Sequence, residues 1–128
     1  MPKTVIWTSR VLVAFIGIFM LTSGINVALV RSPDLVEGFA KFGYPESAMV
    51  PIGVSAFLAA LLYMIPRTSI LGAILLTGYL GGAVATHLRI SDPTLFAPLV
   101  LGILVWLSLY LRDGGLRTMI PLRFSEKS

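Results

Sequence analysis

The chain has 128 residues, of which 56% are hydrophobic and 12% are charged, and its mean hydropathy is +0.90. Because soluble domains carry about twice this share of charged residues, the composition predicts a membrane protein and excludes an ordinary water-soluble domain. The net charge of +4 does not indicate nucleic-acid binding, because the basic residues flank apolar segments and form no basic stripe with interleaved aromatic residues.

Four windows without a charged residue, each of 19 to 21 residues, lie at 11–30, 47–66, 68–88 and 93–111. About 20 helical residues cross a hydrocarbon core of about 30 Å, so each window is long enough to span a membrane. The windows lack the polar face, recurring every 3.6 residues, that a soluble bundle needs. We therefore predict one all-α domain, an up-down-up-down bundle of four membrane helices at approximately residues 6–30, 47–65, 68–89 and 94–111.

The first span begins beside Trp7 and Arg10, which suit the membrane interface, and ends before Pro33. In a cleaved signal peptide, basic residues also precede the apolar stretch. Here the apolar run is long and the small-residue cleavage pattern is poor, so we expect an uncleaved span. Segment 34–42 has apolar and charged residues on opposite helical faces, which predicts a short helix lying in the interface between the first two spans.

Short connections at 65–68 and 89–93 predict antiparallel hairpins, so four crossings place both termini on one side of the membrane. The basic residues divide unequally between the two sides. The side of the termini carries Lys3, Arg10, Arg67, Arg112, Arg117, Arg123 and Lys127, and the other side carries Arg31, Lys41 and Arg89. The positive-inside rule then predicts an inner-membrane protein with cytoplasmic termini, in which residues 112–128 form a short basic cytoplasmic tail.

The third span carries a stripe of small residues, Gly78, Gly82 and Thr86, at intervals of four. Such a stripe lets a neighbouring helix approach closely, and we expect that neighbour to belong to the same chain. Homodimerisation and the approach of a ligand are the alternatives. Tyr79 and His87 lie on the adjacent stripe.

His87 is the only histidine, so a bis-histidine haem or a three-histidine metal site within the chain is excluded, and we predict no metal site. The absence of cysteine likewise excludes thiolate nucleophiles and cysteine-ligated iron–sulfur clusters. His87 lies near the outer end of its span. One interpretation is an interfacial histidine bonded to backbone or water, and the other is a functional group in the membrane.

Antiparallel packing brings the outer ends of the spans together, so we expect Asn26, Tyr44, His87, Arg89 and Asp92 to converge under the interfacial helix. Arg89 and Asp92 could form a simple helix-end pair. Alternatively, the polar groups border a small cavity that binds a quinone carbonyl or another small polar headgroup. A quinone is the only cofactor that this hypothesis includes, and no residue is predicted to be catalytic. The candidate ligand-binding residues are Asn26, Tyr79, His87 and Arg89.

Residues 65–68, Ile-Pro-Arg-Thr, and the segment 71–89 resemble the DoxX-like family of small bacterial membrane proteins. Further agreement covers nearly the whole chain, at Arg10, Ser23-Gly24, Glu37-Gly38-Phe39, Gly43-Tyr44-Pro45, Asp92-Pro93 and 109–113. The resemblance implies four transmembrane helices. The family is named after a subunit associated with thiosulfate:quinone oxidoreductase and terminal oxidase, and relatives are linked to redox-stress complexes.

Many members of this family carry a lysine shortly after the Ser-Gly of the first span and a glutamate early in the second, which would form an intramembrane pair. This chain has Val27 and Ala56 at those positions. The joint loss avoids a single stranded charge in the membrane. The resemblance therefore implies no proton-carrying or substrate-binding role for such a pair here.

Three functional hypotheses follow. The first is an accessory or scaffold protein of a redox or stress-related membrane complex, which binds quinone or lipid and has no catalytic centre of its own. The second is an oxidoreductase subunit that passes electrons to quinone near Tyr79 and His87. The third is a small-molecule transporter that forms an oligomer. The expected partners are the lipid bilayer, a membrane or peripheral redox protein, and further copies of the chain.

Overall fold

The computed structural model describes residues 3–111 and 113–119. Its α-helices are α1 (Lys3–Ile25), α2 (Pro33–Lys41), α3 (Met49–Met64), α4 (Ser69–Arg89), α5 (Phe96–Tyr110) and α6 (Gly114–Met119). A π-helical segment, Asn26–Val30, extends α1, and single 3₁₀ turns precede α3, α4 and α5.

Four helical stretches are long and apolar enough to cross a membrane, namely Lys3–Val30, Glu46–Met64, Pro66–Arg89 and Pro93–Tyr110. These stretches confirm the predicted all-α membrane bundle of four helices. The predicted tail at 112–128 contains α6, while residue 112 and residues 120–128 lie outside the described residues. The buried side chain of Leu116 joins α6 to the core of the bundle.

The four spanning helices form a closed ring, in which α1 packs against α3 and α5, and α4 also packs against α3 and α5. The side chains at the centre are small or aliphatic, apart from Tyr63. Large apolar residues such as Phe15 and Ile103 face outward and are exposed. Large apolar side chains on the outside suit a protein whose solvent is lipid, because lipid tails are as apolar as the core.

A buried polar network joins three helices near the end of the bundle that carries the termini. Ser108 Oγ donates to the carbonyl of Val105 (2.7 Å), so the Tyr63 hydroxyl is the donor in its 2.5 Å bond to Ser108 Oγ. Ser9 Oγ donates to the carbonyl of Ser108 (2.6 Å). All three polar side chains are fully buried and hydrogen-bonded, as the membrane interior requires.

Close helix approach occurs at glycines other than those the sequence indicated. A Cβ atom built on Gly53 of α3 would lie 2.6 Å from the amide nitrogen of Ala28 and from the carbonyl oxygen of Gly24. By contrast, a Cβ atom on Gly78 or Gly82 meets no atom of the described residues within 4 Å. The prediction that Gly78 and Gly82 pack closely against a helix of the same chain is therefore wrong.

Candidate functional site

The short helix α2 has the sequence signals of a self-contained helix. Ser32 accepts a hydrogen bond from the amide of Leu35 as the N-cap, and Pro33 occupies the first helical position. Asp34 in the first turn and Lys41 in the last turn suit the helix dipole. The predicted short amphipathic helix between the first two spans is thus confirmed.

Three contacts hold the end of α2 and the turn after it against the C-terminal end of α4. The guanidinium of Arg89 donates to the carbonyl of Phe42, and the rings of Phe42 and His87 lie 4.6 Å apart at 53°. Thr86 Oγ1 donates to the carbonyl of Gly82 (2.8 Å), so the Tyr44 hydroxyl is the donor in its 3.0 Å bond to Thr86. These contacts fix the C-terminal end of α2 and the following turn against α4.

The turn after α2 depends on Gly43. Its φ of +89° lies in the region that residues with a side chain rarely adopt. A Cβ atom at this position would also collide with the guanidinium of Arg89. Glycine therefore permits both the turn and the Arg89 contact with Phe42.

A cavity of about 300 Å³ lies between α2 and its following turn, α3 and α4. Its walls are mostly aromatic or aliphatic, and its α4 side includes two glycines with no side chain. The lining residues are Phe39, Phe42, Tyr44, Ile52, Gly78, Tyr79, Gly82, Ala83, Thr86 and His87. The small-residue stripe of α4 therefore borders this cavity.

Two polar groups of the cavity have no hydrogen-bond partner in the described part of the chain: Nε2 of His87 and the hydroxyl of Tyr79. Nδ1 of His87 lies 2.6 Å from the carbonyl oxygen of Ala83. Because a carbonyl can only accept, Nδ1 carries the proton, and Nε2 of the neutral ring is a hydrogen-bond acceptor. The Tyr79 hydroxyl can donate or accept. A polar ligand headgroup in the cavity could bond to both groups.

The structure brings together only part of the predicted site. Tyr79 and His87 line the cavity, and Arg89 contacts Phe42 beside it. Asn26 instead borders a separate cavity of about 270 Å³ with Thr22 and Ser23. Asn26 comes two residues after Gly24, which contacts α3. Two residues correspond to about 200° around a helix, so the side chain of Asn26 points away from α3 and α4.

The predicted pair of Arg89 and Asp92 is not formed. Asp92 caps the turn Pro93–Leu95 by accepting hydrogen bonds from the hydroxyl (2.7 Å) and the amide (2.9 Å) of Thr94. These two bonds lower the pKa of the Asp92 carboxyl. Asp92 therefore stabilises the start of the fourth span, while Arg89 stabilises the position of α2.

The roles of Phe39 and Phe42 as cavity walls were not predicted from the sequence. The signal in the sequence was their position on the apolar face of α2, because the apolar face of an interfacial helix packs against other apolar groups. Val27 and Ala56 are both buried. They occupy the positions at which the resemblance implies a lysine and a glutamate in many relatives. A single charge at either position would be desolvated.

A larger cavity of about 510 Å³ lies between α4 and α5 and is lined almost entirely by apolar residues. Its polar groups bond to each other, since Nε1 of Trp106 donates to Thr77 Oγ1 (2.6 Å), which donates to the carbonyl of Ala73 (2.7 Å). This cavity offers a ligand no polar group comparable to His87 Nε2. The smaller cavity is therefore the better candidate site.

Comparison with family models gives a match to the DoxX-like family over residues 11–108. Comparisons with curated proteins and with solved structures gave no match. The matched range covers most of the chain and includes every residue that lines the cavity under α2. The chain belongs to the DoxX-like family.

Proposed function

We propose that this membrane protein binds the headgroup of a quinone or a lipid in the cavity under α2, as an accessory subunit of a redox or stress-related membrane complex. The observation that carries this proposal is a pair of polar groups, His87 Nε2 and the Tyr79 hydroxyl, that have no hydrogen-bond partner among the described residues and lie in an otherwise largely apolar cavity. Apolar walls with a few convergent polar groups are typical of small-molecule sites.

The position of the cavity suits a ligand that is dissolved in the bilayer. His87 lies two residues before the end of α4, so the cavity lies near the membrane interface, where the headgroup of an amphiphile resides. A volume of about 300 Å³ is at the lower end of the range for ligand sites, which fits a headgroup while the tail stays in lipid. Binding would also satisfy polar groups that otherwise lack partners.

The accessory role follows from what the cavity residues can do. His87 and Tyr79 can bond to a headgroup and orient it, and the aromatic walls can hold it in place. Through these contacts the protein would hold a quinone or lipid close to a partner protein that acts on it. The link to a redox or stress-related complex is supported by the family resemblance.

Binding measurements on the protein in mild detergent test the proposal, with a short-tailed quinone, offered in its reduced and its oxidised form, and with phospholipid as separate probes. One lost hydrogen bond costs about 1 kcal/mol, so we expect His87→Ala to weaken binding of the preferred probe about fivefold. We expect His87→Ala combined with Tyr79→Phe to weaken it more than about tenfold.

Asn26→Ala is the matched control, because Asn26 is polar and lies in another cavity near the same end of the bundle. We expect its binding to equal that of the unaltered protein. The proposal is wrong if neither probe binds, or if the His87 and Tyr79 variants bind as well as the Asn26 variant.

We further propose that the protein resides in the inner membrane with both termini in the cytoplasm, which places the cavity near the outer surface. The uneven division of basic residues supports this orientation. The chain has no cysteine, so single cysteines can be introduced for labelling. A cysteine replacing Ser91 should react with an impermeant maleimide in intact cells, and one replacing Arg67 only after lysis; the reverse pattern contradicts the orientation.

A further inference from the structure

We infer that the cavity selects the hydroquinone form of a membrane quinone over the oxidised form while His87 is neutral. This inference rests on the proposed function, because it assumes that a quinone-type ring binds under α2. It adds the chemical form of the ligand and the residue that determines the choice.

The choice depends on the fixed hydrogen-bond polarity of His87. Its Nδ1–H donates to the carbonyl of Ala83, one helical turn earlier on the same helix (2.6 Å). The contact with the Phe42 ring, at 4.6 Å between centroids, further restrains the imidazole. The neutral ring can therefore present only the lone pair of Nε2 to a ligand.

A lone pair distinguishes the two redox forms of a quinone. A hydroquinone carries O–H groups and can donate to Nε2, whereas the carbonyl oxygens of a quinone cannot. A quinone carbonyl placed against Nε2 would leave two acceptors facing each other without a proton. The Tyr79 hydroxyl can donate or accept, so it binds either form and does not discriminate.

The walls of the cavity favour a flat aromatic ligand over an aliphatic alcohol. Phe39, Phe42 and Tyr44 contribute aromatic rings, with the centroids of Phe39 and Tyr44 6.1 Å apart. The backbone of α4 is bare at Gly78 and Gly82, where an added Cβ meets nothing within 4 Å. A flat ring can lie on such a surface between aromatic side chains.

The test compares the dissociation constants of a hydroquinone and its quinone with the same short tail, under anaerobic conditions at pH 8. At pH 8 we expect the hydroquinone to bind about tenfold more tightly. For a two-electron couple, a tenfold preference raises the midpoint potential of the bound molecule by about 30 mV.

Two variants separate the effect of His87 on the preference from the effects of the other cavity residues. His87→Gln should lose the preference, because an amide can turn either its oxygen or its nitrogen toward the ligand. Tyr79→Phe should weaken both forms equally and keep the ratio.

The outcomes distinguish this inference from the proposed function. Equal binding of both forms at pH 8, or tighter binding of the quinone, overturns the inference and leaves the proposed function standing. Failure of both forms and of phospholipid to bind overturns both. A fatty alcohol of the same tail length that binds as tightly as the hydroquinone overturns the assignment of an aromatic ligand.

Discussion

Gly53→Leu is expected to destabilise the bundle by more than about 3 kcal/mol, because the new side chain has no space between α3 and the extended α1. Even a Cβ atom at Gly53 would lie 2.6 Å from two backbone atoms, the amide nitrogen of Ala28 and the carbonyl oxygen of Gly24. Backbone atoms cannot rotate away as a flexible side chain can. The two helices would have to separate, and helix association in lipid depends on such close packing.

Thermal or SDS-induced unfolding in detergent measures this effect. Gly81→Leu is the matched control, because Gly81 is also helical and an added Cβ there meets nothing within 4 Å. We expect the control to unfold like the unaltered protein. Equal stability of the Gly53 and Gly81 variants would contradict the close contact of α3 with the extended α1 at Gly53.

Gly82→Leu is expected to weaken ligand binding at least about tenfold while the protein stays folded. Gly82 lines the cavity under α2, and the space beyond its Cα is open. A leucine side chain can therefore grow into the volume that a headgroup would occupy without displacing a helix. A loss of about 1.4 kcal/mol in binding corresponds to the tenfold change.

Gly81→Leu also serves as the control for binding, since Gly81 borders the larger cavity between α4 and α5. Both variants add the same side chain to neighbouring positions of one helix. Binding should fall only in the Gly82 variant, as measured by titration with the probe that the unaltered protein prefers. If both variants bind normally, or if both lose binding equally, the site lies elsewhere.

Much of the fold could be predicted from sequence because charges and prolines mark the limits of the spans. A charged side chain is costly in lipid, so the uncharged windows lie where the helices do. The short helix α2 was visible because its apolar and charged residues lie on opposite helical faces. These features act locally and depend on the solvent around each segment.

The side of each helix that packs against its neighbours could not be predicted in the same way. A spanning helix is apolar on all sides, so hydrophobicity does not tell which side faces another helix. The glycines of α4 looked like a packing stripe but border a cavity, whereas Gly53 inserts beside Gly24 and Ala28. The spacing of Gly24 and Ala28, four residues apart, was the sequence signal for the contact that does form.

The candidate site was predicted in part. His87 and Tyr79 could be identified because polar groups are rare in a span and lie eight residues apart on one helical face. The position of Asn26 could not be predicted from the convergence of the helix ends. That convergence gives the depth of a residue in the membrane but not the direction in which its side chain points. Arg89 bonds to the backbone of Phe42 instead of Asp92, a partner that sequence patterns do not specify.

Photolabelling of the membrane-embedded protein tests the central claim, that the cavity under α2 binds an amphiphile headgroup, most directly. A quinone with a photoreactive group on its ring would be irradiated with the protein, and the labelled residues mapped by peptide mass spectrometry. We predict labelling concentrated at 39–44 and 78–87, reduced by Gly82→Leu and by excess unlabelled quinone. Labelling spread evenly over the lipid-facing surfaces of the four spans, without competition, would contradict the claim.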